Sequence, residues 1–206
     1  MIFDPKEQSF KENHRLMIGS ILPRPIALVS TKSKDGVNNL APFSFFNGVC
    51  ANPPTIMFAP ARRAYDGKTK DTLNNIRETG EFVVNIVSET FAEKMVACST
   101  DFDSSIDEFQ ISGLSPVSSL KIKSPRVKEA LVNFECKLNQ IIQVGGELPG
   151  SGFVILGTIV MFHVHESVYD QGHINLEILQ PLGRLGGNDY SRIKDTITIN
   201  RKIKPD

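Results

Sequence analysis

Apolar positions along the chain fall into short runs separated by polar turns, and few of them recur at helical spacing. Residues 1–20 read as a short helical lead-in, and Pro23 and Pro25 then punctuate the chain. Pro25 to Thr31 (PIALVST) is an apolar run of strand length. Residues 32–38 (KSKDGVN) place Asp-Gly between two apolar runs, which predicts a hairpin. The returning strand starts near Asn39 and runs through NLAPFSFFNGVC until Pro53 and Pro54 break it; TIMFAP (55–60) is the next strand. Residues 61–71 are a polar loop. A short helix follows at 72–80, with Leu73 and Ile76 on one face, Asp71 or Thr72 to cap its start and Gly80 to end it. EFVVNIVS (81–88) is a strand, and Phe91, Met95 and Cys98 space a helix over 89–98. Residues 99–126, rich in Ser, Asp and Pro, read as a long loop. Two long β segments, 130–144 and 152–165, are joined by the glycine-rich turn 145–152. A brief strand or helix near 174–179, the glycine-rich 183–190 and an edge strand at 197–199 complete the pattern.

At least six strands with hairpin turns and few helices predict a mainly β fold, an antiparallel barrel with short peripheral helices. The β–α alternation of a Rossmann sheet is missing, as is any GxGxxG after a strand, so a nucleotide cofactor would bind by another route. The 206 residues are expected to form one domain. Lys+Arg and Asp+Glu balance at 23 each, which argues against nucleic acid as a partner but leaves room for a local basic patch. Tryptophan is absent and phenylalanine numbers 13, so aromatic stacking falls to Phe or Tyr. Three scattered cysteines without a CxxC pair read as reduced thiols of a cytosolic protein. The polar N-terminus and the lack of any run of about 20 apolar residues predict a cytoplasmic protein without a membrane span.

Two stretches carry candidate chemistry. GKTKDT (67–72) sets Lys68, Lys70 and the Thr72 hydroxyl at a helix start, where free N–H groups and the helix dipole favour a phosphate. Arg62 and Arg63 stand close enough in sequence to add guanidinium contacts. A capped helix in a solvated loop fits the same string. In NLAPFSFFNGVC, Pro42 removes a donor, Ser44 offers a hydroxyl, and Phe43, Phe45 and Phe46 offer apolar faces to a flat heteroaromatic ring. A plain core strand is the competing reading. His163 and His165 share a strand face but lack a third metal ligand at a recognisable spacing, so they read as a surface or interface pair. Cys98 ends a helix, a poor place for a reactive thiolate. Asp107-Glu108 have no identifiable acid–base partner, and GRLGGNDY (183–190) reads equally as a lid or a terminal turn.

Taken together, PRPIALVST (23–31), NLAPFSFFNGVCANPPTIMF (39–58), DGKTKDTLNNIRETGEFVVNIV (66–87), DEFQISGL (107–114), SPRVKEALVNFECKL (124–138) and GRLGGNDY (183–190) resemble the flavin reductase-like proteins with an FMN-binding split barrel, in family order. Within that family they resemble the reductase component of nitrilotriacetate-type two-component monooxygenases. The resemblance spans about residues 20–190 and implies a split β-barrel with FMN near the interface of a homodimer. By motif it implies that Ser30, Thr31 and Ala41, Pro42, Phe43, Ser44 and Phe45 line the isoalloxazine and ribityl chain, and that Lys70, Asp71 and Thr72 hold the phosphate. Asp71, whose charge repels phosphate, is expected to cap the helix or to hydrogen bond. The activity implied is transfer of a hydride from NADH or NADPH to FMN, with a monooxygenase partner or another acceptor taking the reduced flavin. A non-enzymatic FMN carrier is the alternative, and a barrel holding pyridoxal phosphate or haem is a third reading.

Overall fold

The computed structural model describes residues 1–201. Helix α1 (Phe10–Ser20) begins at a capping box in which Ser9 and Glu12 satisfy each other's backbone N–H groups. The main strands are β1 (Ala27–Lys32), β2 (Asn38–Phe43), β3 (Phe46–Ala51), β4 (Pro54–Phe58), β5 (Glu81–Ile86), β6 (Val132–Val144) and β7 (Gly152–Val164). Helices α2 (Asp71–Thr79), α3 (Ala92–Ala97) and α4 (Glu108–Ser112) lie between β4 and β6, and α5 (Leu176–Leu179) follows β7. Short strands β8 (Leu182–Arg184) and β9 (Tyr190–Arg192) pair with each other, and β8 also pairs with Arg24–Pro25.

The seven strands form one sheet in the order β2-β1-β5-β6-β7-β4-β3, antiparallel throughout. Its concave face holds one apolar cluster fed from both ends of the sheet. Val29, Phe43, Phe58, Phe82, Cys136 and Ile155 meet there, and Leu73 and Ile76 of α2 plug it. Phe43 and Phe58 meet tilted at 5.0 Å between ring centroids, and Phe58 and Phe82 edge-to-face at 5.4 Å. Such contacts across the sheet require it to curl. Gly157 permits the tightest approach, because a Cβ there would lie 2.3 Å from the Phe82 ring. Behind β1 and β2, a second cluster joins Leu28 and Leu40 to Phe91 and Met95 beside α3 and to Phe109 of α4. Strand β1 is therefore buried on both faces, which explains its nearly unbroken apolar run.

The expected barrel is curled but not closed. Strands β2 and β3 are the two edges, joined by Ser44 and Phe45 with no ladder between them. Helix α4 covers the free edge of β2: Leu40 N–H donates to Glu108 Oε2 at 3.0 Å, and Pro42, two residues on, has no N–H to offer. Other expectations also change. The single strand from Asn39 is two strands meeting at a corner. The 99–126 segment contains α4, whose N-cap Asp107 accepts from Phe109 N–H at 2.9 Å. The 174–179 segment resolves as α5. Residues 197–199 form no strand, and Ile197 and Ile199 are exposed. No helix among the described residues is long and apolar enough to cross a membrane.

His163 and His165 part company. His165 accepts from Ser167 N–H at the following turn, whereas His163 bonds to Glu135, which is fully buried on β6. Glu135 also accepts from Leu120 and Lys121 N–H, each at 2.7 Å. Burial alone pushes this carboxyl up, but these donors together outweigh burial and hold it below its usual range. A depressed folded value stabilises the fold above the carboxylate's ordinary range, and that contribution is lost as pH falls through the lowered value. Glu135→Gln should therefore flatten the acid limb of a melting temperature–pH curve. Parallel curves for the two proteins would contradict this reading.

Candidate functional site

Helix α2 starts without a side-chain cap. Lys70 is the N-cap, with extended dihedrals of −75° and 151°, and no side chain bonds the first-turn N–H groups. Asp71, expected as a cap, lies inside the first turn and pairs instead with Arg63 at 3.0 Å. The loop before the helix is fixed by Arg63 N–H to Lys68 O (2.9 Å) and Gly67 N–H to Arg63 O (3.0 Å). These bonds set the Arg63 guanidinium beside α2. Burial is the largest influence and would lower Arg63, but Asp71, Tyr65 and Asp101 together outweigh it, and its pKa is raised. Its Nε is buried and, among the described residues, has no hydrogen-bond partner. Arg62 turns the other way, over the Phe153 ring at 5.3 Å, and Lys68 is exposed. Lys70 Nζ reaches Asp101 at 2.8 Å.

A cleft of about 60 Å³ opens at this point, between Ala41–Phe43 of β2 on one side and Arg63, Lys70 and Thr72 on the other, with residues 98–102 over it. The sequence-derived set is thus partly brought together: Ala41, Pro42, Phe43, Lys70, Asp71 and Thr72 line the cleft. Ser44 lines an adjoining chamber of about 410 Å³, which shares Pro42, Phe43 and Ser99 with it. Ser30 and Thr31 are fully buried. The Ser30 hydroxyl donates to Pro125 O, and Thr31 Oγ1 accepts from Asn75 at 3.0 Å. Thr31 stands one bond behind the cleft, since Thr31 and Thr72 both donate to Asn39 Oδ1, at 3.3 and 2.8 Å. The Phe45 ring lies instead near His14, 6.3 Å between centroids.

Several residues at the cleft carried no separable signal in the sequence. Asn39 sits inside the quoted β2 motif but only its three-way bonding reveals its part: it also donates to Glu108 Oε1 at 2.7 Å. Glu108, weighed as an acid–base residue, braces Asn39 and Leu40, and burial pushes its carboxyl up. Asp101 and Arg24 stand in no local pattern that marks them as site residues. Arg24, 4% exposed, donates to Ser44 Oγ (3.3 Å) and to the carbonyls of Ile18, Ile21 and Leu185. Cys98 is buried, and its thiol is pushed up to about 11, which keeps it protonated at neutral pH. Arg184 and Tyr190 of the glycine-rich segment wall the adjoining chamber.

The model of the flavin reductase like domain matches residues 18–181. The chain belongs to that family. A solved structure of nitrilotriacetate monooxygenase component B from Bacillus cereus is 38% identical, covers 97% of this chain and 98% of its own, and superposes with a TM-score of 0.92. The 2-nitrobenzoate 2-nitroreductase NbaA of Pseudomonas fluorescens is 33% identical over 98% of this chain and 96% of its own, with a TM-score of 0.86. An uncharacterized protein of Halalkalibacterium halodurans is 40% identical over 203 residues, 98% of this chain and 96% of the relative. Family membership supports flavin binding and an oxidoreductase role, and the architecture, mainly β with few short helices, agrees with split-barrel relatives.

Proposed function

We propose that this protein binds FMN at the start of α2 and uses it as an NAD(P)H:flavin oxidoreductase. One observation carries the reading: an uncapped helix start beside the half-buried Arg63 guanidinium, whose buried Nε has no partner among the described residues. A chain that closed this site on itself would leave neither group free. Phosphate fits both, since its oxygens accept from backbone N–H, hydroxyl and guanidinium alike. Lys70, Thr72 and Arg63 would hold it. Asp71 lines the same cleft, and its carboxylate is engaged by Arg63, which it holds in place. Ala41, Pro42 and Phe43 would flank the ribityl chain and the ring system, with Ser44 in the chamber beyond. Because Arg24 donates to Ser44 Oγ, the Ser44 proton remains free to donate to a ligand. Phe43 and Met95 keep the chamber apolar, which strengthens every polar contact inside it. Bound there, FMN would supply the acceptance of a hydride from NADH or NADPH and the onward passage of electrons.

The likeness to a monooxygenase component B supports delivery of reduced flavin to a separate monooxygenase or another acceptor. A homodimer is part of the same reading. Phe10, Leu16 and Met17 of α1 are exposed, as is Val49 on the β3 edge, and a second copy would cover them. Anaerobic mixing of protein, FMN and NADH tests the activity, with rapid bleaching of the yellow absorbance as the expected result. Bleaching by dithionite but not by NADH or NADPH would make the protein a flavin carrier instead.

Asp101 lines the cleft and holds Lys70 at 2.8 Å, so a phosphate that engages Lys70 competes with Asp101 for it. Asp101→Asn should tighten FMN by about two- to fivefold, the scale of a partly exposed pair. Weaker binding in a fluorescence titration would show that Asp101 helps hold the cofactor.

A further inference from the structure

The cleft at the start of α2 carries more negative charge than a phosphate site calls for. Two cations line it, Arg63 and Lys70, against three carboxylates, Asp71, Asp101 and Glu108. Asp71 and Asp101 are partly exposed, and each holds one of the cations. Glu108 forms no ion pair among the described residues. It is 6% exposed and accepts from neutral groups, Asn39 Nδ2 at 2.7 Å and Leu40 N–H at 3.0 Å. The charges around it are mostly of its own sign. Asp71 faces it from α2, Asp101 from the segment over the cleft, and Asp107 precedes it in the chain. Asp35 and Glu78 stand across an adjoining hollow of about 380 Å³. Cys98, at the end of α3, keeps its thiol proton, and Lys94 of α3 is turned to Gly113 O at the far end of α4. The facing part of β2, Asn38 to Leu40, bears no charge. Burial pushes the Glu108 carboxyl up, and the Asp71 charge adds to this.

A phosphate dianion seated beside Arg63 and Lys70 brings two further negative charges into the same cleft. Like charges at such range do not all stay ionised, and one group takes a proton. Of the three carboxylates, Glu108 is the most buried and the one without a cation, so the proton belongs there. We propose that Glu108 takes up one proton from solvent as the phosphate of FMN enters the cleft, so that phosphate binding and protonation of this side chain are linked. The proposal rests on the flavin reading above and adds a proton to it. The bonds around Asn39 suit the change. In the structure the Thr72 hydroxyl donates to Asn39 Oδ1 at 2.8 Å, which commits its proton. A protonated Glu108 Oε1 donates across the existing 2.7 Å, an ordinary O–H···O distance, and the Asn39 amide turns to accept it. Asn39 Nδ2 then faces Thr72 Oγ1, and the Thr72 proton is free for a phosphate oxygen. Glu108 thereby sets, through Asn39, which way Thr72 donates.

Calorimetric titration of the flavin-free protein with FMN, in buffers of unlike ionisation enthalpy across about pH 5.5–8, counts the protons. At its maximum the unmodified protein should take up at least about half a proton more per FMN than Glu108→Gln. In that variant only the release from the phosphate's own ionisation, near pH ~6, remains. FMN affinity of the unmodified protein should rise as pH falls, by up to about tenfold per pH unit, through the raised value that Glu108 has beside the phosphate. Glu108→Gln is neutral throughout. It should lack that slope and bind FMN about three- to tenfold tighter at the alkaline end, with riboflavin within about twofold.

Equal proton counts in the two proteins overturn the proposal, as does uptake of the same size with riboflavin, which lacks the phosphate. So does a parallel weakening of FMN and riboflavin in Glu108→Gln, which would make the carboxylate structural. If the variant does not fold, carbon-13 labelling of the glutamate carboxyls decides, because Glu108 is the one glutamate among the described residues that lines the cleft. One resonance should move to the protonated position with FMN and not with riboflavin, and no such movement overturns the proposal. FMN that binds no tighter than riboflavin overturns the flavin reading and this inference together. Tighter FMN without proton uptake overturns the inference alone.

Discussion

Replacing Arg63 and Lys70 together with methionine is expected to weaken FMN by about a hundredfold while changing riboflavin by less than about threefold. Each charge-assisted hydrogen bond to a phosphate contributes on the order of 1.5–3 kcal/mol, and part of that is recovered by backbone N–H groups and Thr72. Methionine keeps the length and the apolar stem of both side chains, so the cleft wall between Phe43 and α2 stays filled. Riboflavin lacks the phosphate and serves as the internal control. Flavin fluorescence titrations of both ligands measure the ratio. Equal weakening of FMN and riboflavin would mean that the two cations shape the cleft without meeting the phosphate. The double variant also leaves Asp71 and Asp101 without their partners, so denaturant unfolding should accompany the titration.

The second large effect concerns stability. Asn85 is fully buried on β5 and satisfies four groups at once. Its Nδ2 donates to Leu28 O (2.9 Å) and Ser30 Oγ (3.1 Å), and its Oδ1 accepts from Val127 N–H (2.8 Å) and Asn133 Nδ2 (2.9 Å). Asn85→Leu keeps the branching of the side chain, is larger, and bonds none of them. Several buried polar groups lose partners, at roughly 1–3 kcal/mol each, so a loss of about 4 kcal/mol is expected. In a chain of this size that lowers the melting temperature by about 10 °C. Urea unfolding with an unchanged slope measures it, and a loss below about 1 kcal/mol would show that water replaces the missing bonds. The effect bears on the site because Asn85 ties β1 to the 125–127 segment, and β1 carries β2 and its Ala41–Phe43 wall.

Much of the fold is legible in local pattern. The KSKDGVN hairpin, the TLNNIRETG helix and the two long strands around GGELPGSG stand within a few residues of where the sequence puts them, because Asp-Gly, a C-terminal Gly80 and long β-branched runs act locally. Gly80 takes the left-handed dihedrals of 69° and 15° that end α2. The corner at Ser44–Phe45 is not legible. Aromatic residues continue across it, and nothing in the alternation marks two residues that carry the chain from one sheet edge to the other. Helix α4 is a five-residue element, too short for a 3.6-residue period to declare itself, and its main bond, Glu108 to Leu40, spans 68 positions. Asp71 misleads for a related reason. Its capping preference is local, whereas the residue that claims it, Arg63, arrives from a loop whose path no pattern fixes. Arg24 is the extreme case, a cation buried among carbonyls from separate segments, which no local rule anticipates.

A crystal structure of the protein with FMN tests the central claim most directly. The phosphate is expected at the start of α2, bonded to Thr72, Lys70 and Arg63, with the Lys70–Asp101 pair broken and the ring system lying along Pro42 and Phe43. FMN bound with its phosphate elsewhere, for instance in the groove of about 780 Å³ around Lys32 and Lys123, would contradict it.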